Sequence, residues 1–345
     1  MQQWASRCAK IIISDAHIRF RDNAALRAHL AALDGVAHEV IGQSRDGQDI
    51  FGMRFGGGAQ RVSIVAGSHA DEPTGPMTAQ ALPVLLGRHF PELLERFHFC
   101  VVPQINPDGA DRNRAWFDNP PDFVCYTQHA RREPPGDDIE FGFGDAPGPR
   151  PENKGAMTFL RAHAPFAAHF SLHGMAWAEG AWCLICKEWA EHAGALMDAI
   201  ESVLAVRGFP LHDIDRKGAK GFTRLRPGFA TTPTAMAMRA HFKHTGDPET
   251  AQKFRPSSME YAMAMGGNPL CVVTEMPLFH LTRGETSLDN PILLRFRDAM
   301  QEAQAQGTDA VEALGRQYGV APVPLRFQLH VQLAVIVLSL VSAIR

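Results

Sequence analysis

The chain carries almost no excess of charge. Thirty-four Lys and Arg stand against 37 Asp and Glu, a formal net charge of -3. Such a balance supplies no field for gripping a phosphate backbone, which argues against a nucleic-acid partner. Cysteine is sparse: Cys8, Cys100, Cys125, Cys183, Cys186 and Cys271 are scattered, several within apolar runs. They read as reduced core thiols, not as a disulfide framework. Cys183 and Cys186 form a CxxC inside the apolar run WCLIC with no histidine partner, so they too read as core. Long apolar runs are missing as well. The N-terminal MQQWASRCAKIIIS has too short an apolar stretch and no small-residue cleavage site, so the expected location is cytoplasmic. Val331 to Ile344 is uncharged and mostly apolar, yet shorter than the roughly 20 residues of a membrane span, and Gln332 lies within it. Residues 321–345 are therefore expected to pack on the domain as a terminal element.

What is present is ordinary for a globular enzyme: 45% apolar and 21% charged residues, with 16 histidines that leave room for a metal site. No repeat or linker divides the chain, so residues 1–320 read as a single catalytic domain with an N-terminal helix. Residues 21–33 have helical spacing, and 39–44 and 48–57 read as two strands around a Gly turn. RVSIVAG (61–67), FHFCVVPQIN (97–106), AAHFSLH (167–173), AWCLICK (181–187) and LCVVTE (270–275) read as buried strands. Helical patterns fall between them at 76–88, 152–163, 188–206 and 258–265, and another follows at 289–306. Strands that are apolar throughout and alternate with helices predict an α/β fold, a mostly parallel sheet covered on both faces. Residues 117–153, rich in Pro, Gly and Asp, read as a surface excursion, and 215–256 as loops over a site.

Three stretches carry chemistry. Gly67-Ser68-His69-Ala70-Asp71-Glu72-Pro73 follows a buried strand, and Pro73 disfavours helix at Glu72, leaving His69 and Glu72 in a turn. Sheet ligands gather at the carboxyl ends of strands. His173 ends a second apolar strand and Glu275 a third. Each alone has a plain reading as a polar residue at a strand end. Together they supply what a catalytic zinc needs: three protein ligands (His69, Glu72, His173) and a carboxylate, Glu275, to take a proton from water. His169, four residues deeper, reads as core or as support for a ligand.

At this point the sequence resembles the zinc carboxypeptidases, a family that includes pancreatic carboxypeptidases and murein-peptide amidases. The pieces run in order across residues 38–280: EVIGQSRDGQDIFGMRFG, GSHADEPTG, INPDG, PEN, SLHG and VVTEMP. The resemblance implies a mixed, mostly parallel sheet of about eight strands between helices. It also implies one zinc per chain and hydrolysis of a peptide or other amino-acid-derived small substrate. A zinc-dependent N-acyl amino acid deacylase and a non-catalytic domain on the same scaffold are the alternatives.

The sequence also departs from the family pattern. Where the family has Gly-x-Asp-Leu-Asn-Arg, this chain has Gly136-Asp137-Asp138-Ile139-Glu140-Phe141. The resemblance gives Asp138 a supporting role behind a ligand histidine, but the Asn and Arg that hold a terminal carboxylate are replaced by Glu140 and Phe141. Arg114 and Arg131 are the two candidates, by spacing, for polarising the scissile carbonyl. With Asp138 so occupied, Glu140 is expected to face substrate and favour a cation or a modified end. Arg224 is a candidate for rescuing carboxylate binding from the 215–256 segment, which is the alternative source of the pocket. Ser257-Ser258-Met259-Glu260 reads as a helix-capping box.

Overall fold

The computed structural model describes residues 1–117, 121–145 and 148–343. Parts of the 117–153 segment (118–120 and 146–147) and residues 344–345 of the terminal stretch lie outside the described residues. The framework is a ten-stranded sheet: β1 (Ala37–Gln43), β2 (Asp49–Phe55), β3 (Gln60–Ala66), β4 (Phe97–Val102), β5 (Ala168–Ala178), β6 (Trp182–Ile185), β7 (Arg224–Arg226), β8 (Phe229–Thr231), β9 (Leu270–Leu281) and β10 (Val320–Pro322). Their order is β1-β2-β4-β3-β5-β9-β6-β8-β7, with β10 paired to β9. The central β4-β3-β5-β9 run is parallel, β1 and β2 join antiparallel at one side, and β6 runs antiparallel to β9.

The all-apolar strands are central because only there are both faces covered. One face packs on the helices Thr74–His89, Gly194–Val206 and Leu325–Ala343, the other on Pro151–His163. Leu325–Ala343 is long and apolar enough to cross a membrane, but most of it is buried inside the molecule. Its polar residues are spent inward. Gln332 Nε2 donates to the His173 carbonyl and to Thr274 Oγ1, both at 3.0 Å, and its Oε1 accepts from Thr78 Oγ1. Gln328 accepts from Thr74 Oγ1 at 2.8 Å.

Two sequence expectations shift. β5 and β9 run on to Ala178 and Leu281, pairing with each other through residues 168–178 and 270–280, so His173 and Glu275 sit mid-strand, not at strand ends. Residues 117–153 are no surface excursion: they hold the helix Phe123–His129, and Tyr126, Ile139, Glu140 and Phe143 are buried. Pro, Gly and Asp content marks irregular backbone, not exposure.

Candidate metal centre and substrate cavity

β3 ends at Ala66, and Gly67 takes a φ of +75° to turn the chain out of the sheet. A Cβ there would meet Gln104 Oε1 at 1.9 Å, so the turn demands glycine. The Glu72 amide bonds back to the His69 carbonyl at 3.3 Å, and Thr74–His89 begins only after Pro73. This turn aims His69 and Glu72 at His173, carried by the neighbouring β5.

Donor atoms converge tightly. His69 Nδ1 lies 2.8 Å from Glu72 Oε1, His173 Nδ1 2.8 Å from Glu72 Oε2, and the two Nδ1 atoms 2.9 Å apart. Two imidazole nitrogens and a carboxylate aimed at one point form a donor set suited to zinc. The outer ring nitrogens are also supported, as metal-ligating histidines require. His173 Nε2 lies 3.2 Å from Glu140 Oε2 and 2.8 Å from Ser171 Oγ, and His69 Nε2 lies 3.6 Å from Asp138 Oδ1. Burial and Arg132 work against a protonated His69, but Glu72 and Asp138 push it up to about 9. Burial alone would raise Glu72; His69, Arg132 and His173 hold it well below the usual carboxylate range.

Glu140 therefore does not face substrate. Beyond its His173 contact it accepts from Ser171 Oγ at 3.1 Å and Ser258 Oγ at 2.9 Å, with little of it exposed. Although burial opposes ionisation, His173, His69 and Ser258 keep its carboxyl low. His169 stands behind this group, its Nδ1 2.8 Å from Ser63 Oγ and its Nε2 3.2 Å from Ser258 Oγ, and burial lowers it to about 4. The capping box is present: Ser257 Oγ accepts from the Glu260 amide, and Glu260 accepts from the Ser257 amide.

Neither arginine chosen by spacing points at the triad. Arg114 pairs with Asp22 at 3.4 Å and lies over the Phe20 ring. Arg131 turns back onto the Gln128 and Ala130 carbonyls at 3.1 and 2.9 Å. Arg132 reaches in instead: its guanidinium bonds Glu72 Oε1 and its Nε lies 3.6 Å from Asp71 Oδ1. Asn113 sets this register, donating to the Arg131 carbonyl and accepting from the Arg131 amide, both at 2.8 Å. One residue along an extended segment flips a side chain to the other face, which spacing alone does not resolve. The motif pieces INPDG and PEN serve the same segment structurally. Asn106 Nδ2 donates to Glu133 Oε1 at 2.9 Å, and Asn153 Nδ2 donates to the Ile139 carbonyl at 2.8 Å.

Glu275 pairs in register with His173 across β5 and β9, so both project from one face. Its carboxylate makes no hydrogen bond among the described residues and lines a cavity of about 470 Å³ shared with His69, Arg132 and His173. Burial, reinforced by Glu72, raises it to about 7. Arg224 lies away from this cavity, bound to Asp213 at 2.7 and 3.0 Å on the short edge strand β7. Phe141 lines the cavity and meets Phe254 edge-on at 5.2 Å.

Residues 28–178 match the family model described as zinc carboxypeptidase. Over that span, a little under half of its length, the chain is similar to the zinc carboxypeptidases. The matched span takes in His69, Glu72, Arg132, Glu140 and His173 and ends before Glu275. Among solved structures, bovine thrombin-activatable fibrinolysis inhibitor, in complex with tick carboxypeptidase inhibitor, is similar at 13% identity, TM-score 0.50, over 87% of this chain and 99% of that one. A second structure of thrombin-activatable fibrinolysis inhibitor is similar at 12% identity, TM-score 0.54, over 99% of this chain and 80% of that one. At such identities the likeness is one of fold: the mixed sheet flanked by helices is carboxypeptidase-like. No curated protein matches the chain in sequence. Its class is that of the zinc carboxypeptidase-type metallopeptidases, which are hydrolases.

Proposed function

We propose that this carboxypeptidase-type enzyme cleaves an amide bond of a peptide or other amino-acid-derived small substrate, with one zinc held by His69, Glu72 and His173. The carrying observation is the meeting of three convergent donors, two of which line the cavity, with a separate carboxylate in that cavity, Glu275, that makes no hydrogen bond among the described residues. Zinc, when bound there, would acidify water and polarise the scissile carbonyl. Glu275, raised to about 7, suits a group that takes a proton from water near neutral pH and returns it to the leaving amine. Arg132, with its guanidinium at the triad, is the group placed to stabilise negative charge developing on the carbonyl oxygen. Glu140 and Asp138 orient the ligand histidines.

Elemental analysis and a substrate panel test the reading. Protein purified without added metal should carry one zinc per chain, and His173→Ala should lose it. Peptides, murein fragments and N-acyl amino acids then separate peptidase from deacylase. Glu275→Gln should keep zinc and fold but lose on the order of 10²–10⁴ in kcat. Unchanged turnover in that variant would remove Glu275 from the chemistry.

A further inference from the structure

The cavity that holds the triad has a basic wall that the hydrolytic reading leaves without a role. Arg216, Lys220 and Arg297 line it together with Trp182 and Phe222. Proteins rarely place cations side by side without anions between them, because each disfavours the charge of the next. Here the anions are missing: among the described residues no carboxylate lies within ion-pair distance of Arg216 or Lys220, while Arg297 lies 3.0 Å from the exposed Asp298. Aromatic faces hold the cations instead. The Arg216 guanidinium sits 4.4 Å from the Phe222 ring centre and 5.4 Å from that of Trp182, and Lys220 Nζ 5.5 Å from that of Phe242. A ring supports a guanidinium through its face and leaves the in-plane N–H donors unspent. Burial pushes both Arg216 and Lys220 below their ordinary values; Glu275 partly opposes this at Arg216, while Arg216 pushes Lys220 further and Arg297 pushes both. Lys220 also adopts a φ of +58°, a left-handed conformation that is strained for a lysine.

We propose that Arg216, Lys220 and Arg297 form an anion-recognition subsite of the substrate cavity, selecting substrates whose released residue carries two carboxylates, a terminal one and an acidic side chain. The stoichiometry follows from charge. Two cations, Arg216 and Lys220, have no carboxylate within ion-pair distance among the described residues; a dianion offers each a partner, whereas a monoanion leaves one half-buried without one. Glu140, engaged behind His173, offers no competing attraction for a cation. The subsite also answers the replacement of the usual carboxylate-holding Asn and Arg by Glu140 and Phe141: binding shifts to the 211–222 segment and to the helix Ile292–Gln306. This inference rests on the cavity being the substrate site of an amide hydrolase.

Binding and turnover are measured separately. Isothermal titration of the zinc-loaded protein with glutarate should show binding that neutral glutaramide lacks and that butyrate shows at least tenfold more weakly. Arg216→Gln and Lys220→Gln should each weaken glutarate at least tenfold with zinc content and circular dichroism unchanged, and Glu275→Gln should retain it. In turnover, a peptide ending in Glu should exceed its Phe-ended analogue at least tenfold in kcat/KM, a ratio that Arg216→Gln and Lys220→Gln each abolish. Glutarate binding that depends on both cations, in a protein that cleaves nothing on the panel, would uphold the subsite and overturn the hydrolase reading. Equal cleavage of Phe- and Glu-ended peptides, with glutarate binding untouched by either substitution, would overturn the subsite and leave the hydrolase reading standing.

Discussion

Arg132 is the residue on which the site's electrostatics turn. Its guanidinium lies against Glu72 and near Asp71, whose Oδ2 accepts from Tyr126 Oη at 3.0 Å. Both acids are buried and Arg132 is half exposed at its side chain, so it joins the triad to the cavity. Removing one such donor to a developing oxyanion costs on the order of 10²–10³ in kcat. Arg132→Ala is therefore expected to lose that much, whereas Arg131→Ala and Arg114→Ala, whose guanidinia point elsewhere, should stay within about threefold. Zinc content measured on each variant separates an oxyanion role from one that merely steadies Glu72. Equal losses in Arg131→Ala and Arg132→Ala would mean that the segment, not the guanidinium, matters. His69, Glu72, His173 and Glu275 were legible because each follows an apolar run in sequence, even though β5 and β9 continue past His173 and Glu275. Arg132 was not, because whether an arginine in an irregular segment turns inward depends on Asn113 gripping its neighbour's backbone.

Among the elements, the C-terminal helix Leu325–Ala343 has the most indirect bearing on the site. It lies under β5 and β9, and Gln332 donates to the carbonyl of His173 itself. That carbonyl is buried, as are Thr78 and Thr274; without the amide the carbonyl keeps only Thr274 Oγ1 as a side-chain donor, at 3.3 Å, and Thr78 Oγ1 loses its Gln332 acceptor. Gln332→Leu is expected to lower stability by about 1–3 kcal/mol, read as a shift in the urea midpoint at unchanged slope. An unshifted midpoint would show that water replaces the amide. The run of apolar residues disclosed a buried element, and the absence of charge disclosed where it could lie. Its helical form was not read, because a segment that is apolar on every side has no 3.6-residue pattern to betray it. The helix Thr308–Tyr318, by contrast, was passed over although amphipathic.

The whole molecule sets the pH response. His169 sits at the centre of the sheet, fully buried, taking up a proton only near 4 against 6.5 when unfolded. Between those values the unfolded chain binds a proton that the folded one does not, so stability is present above 6.5 and is lost as pH falls toward 4. The term is on the order of 3 kcal/mol. His169→Gln should flatten the fall in urea midpoint between pH 7 and pH 4.5 relative to the unaltered protein. A parallel fall in both would assign the acid sensitivity elsewhere, Glu140 and the triad included.

By itself the sequence determined the α/β alternation, the buried strands and the grouping of His69, Glu72 and His173 as a candidate metal site, because these follow from local pattern: apolar runs, a proline after Glu72, a glycine that a positive φ requires. The folded chain alone decided which cations line the cavity. Glu140 was turned behind His173 by Ser171 and Ser258, residues 31 and 118 positions away, and Arg224 was taken up by Asp213. Arg216, Lys220 and Arg297 were brought to one cavity from a loop and a distant helix. Periodicity reports which face of an element is apolar; it holds no information about which polar side chains from separate segments will share a space, since that is fixed by packing over long range.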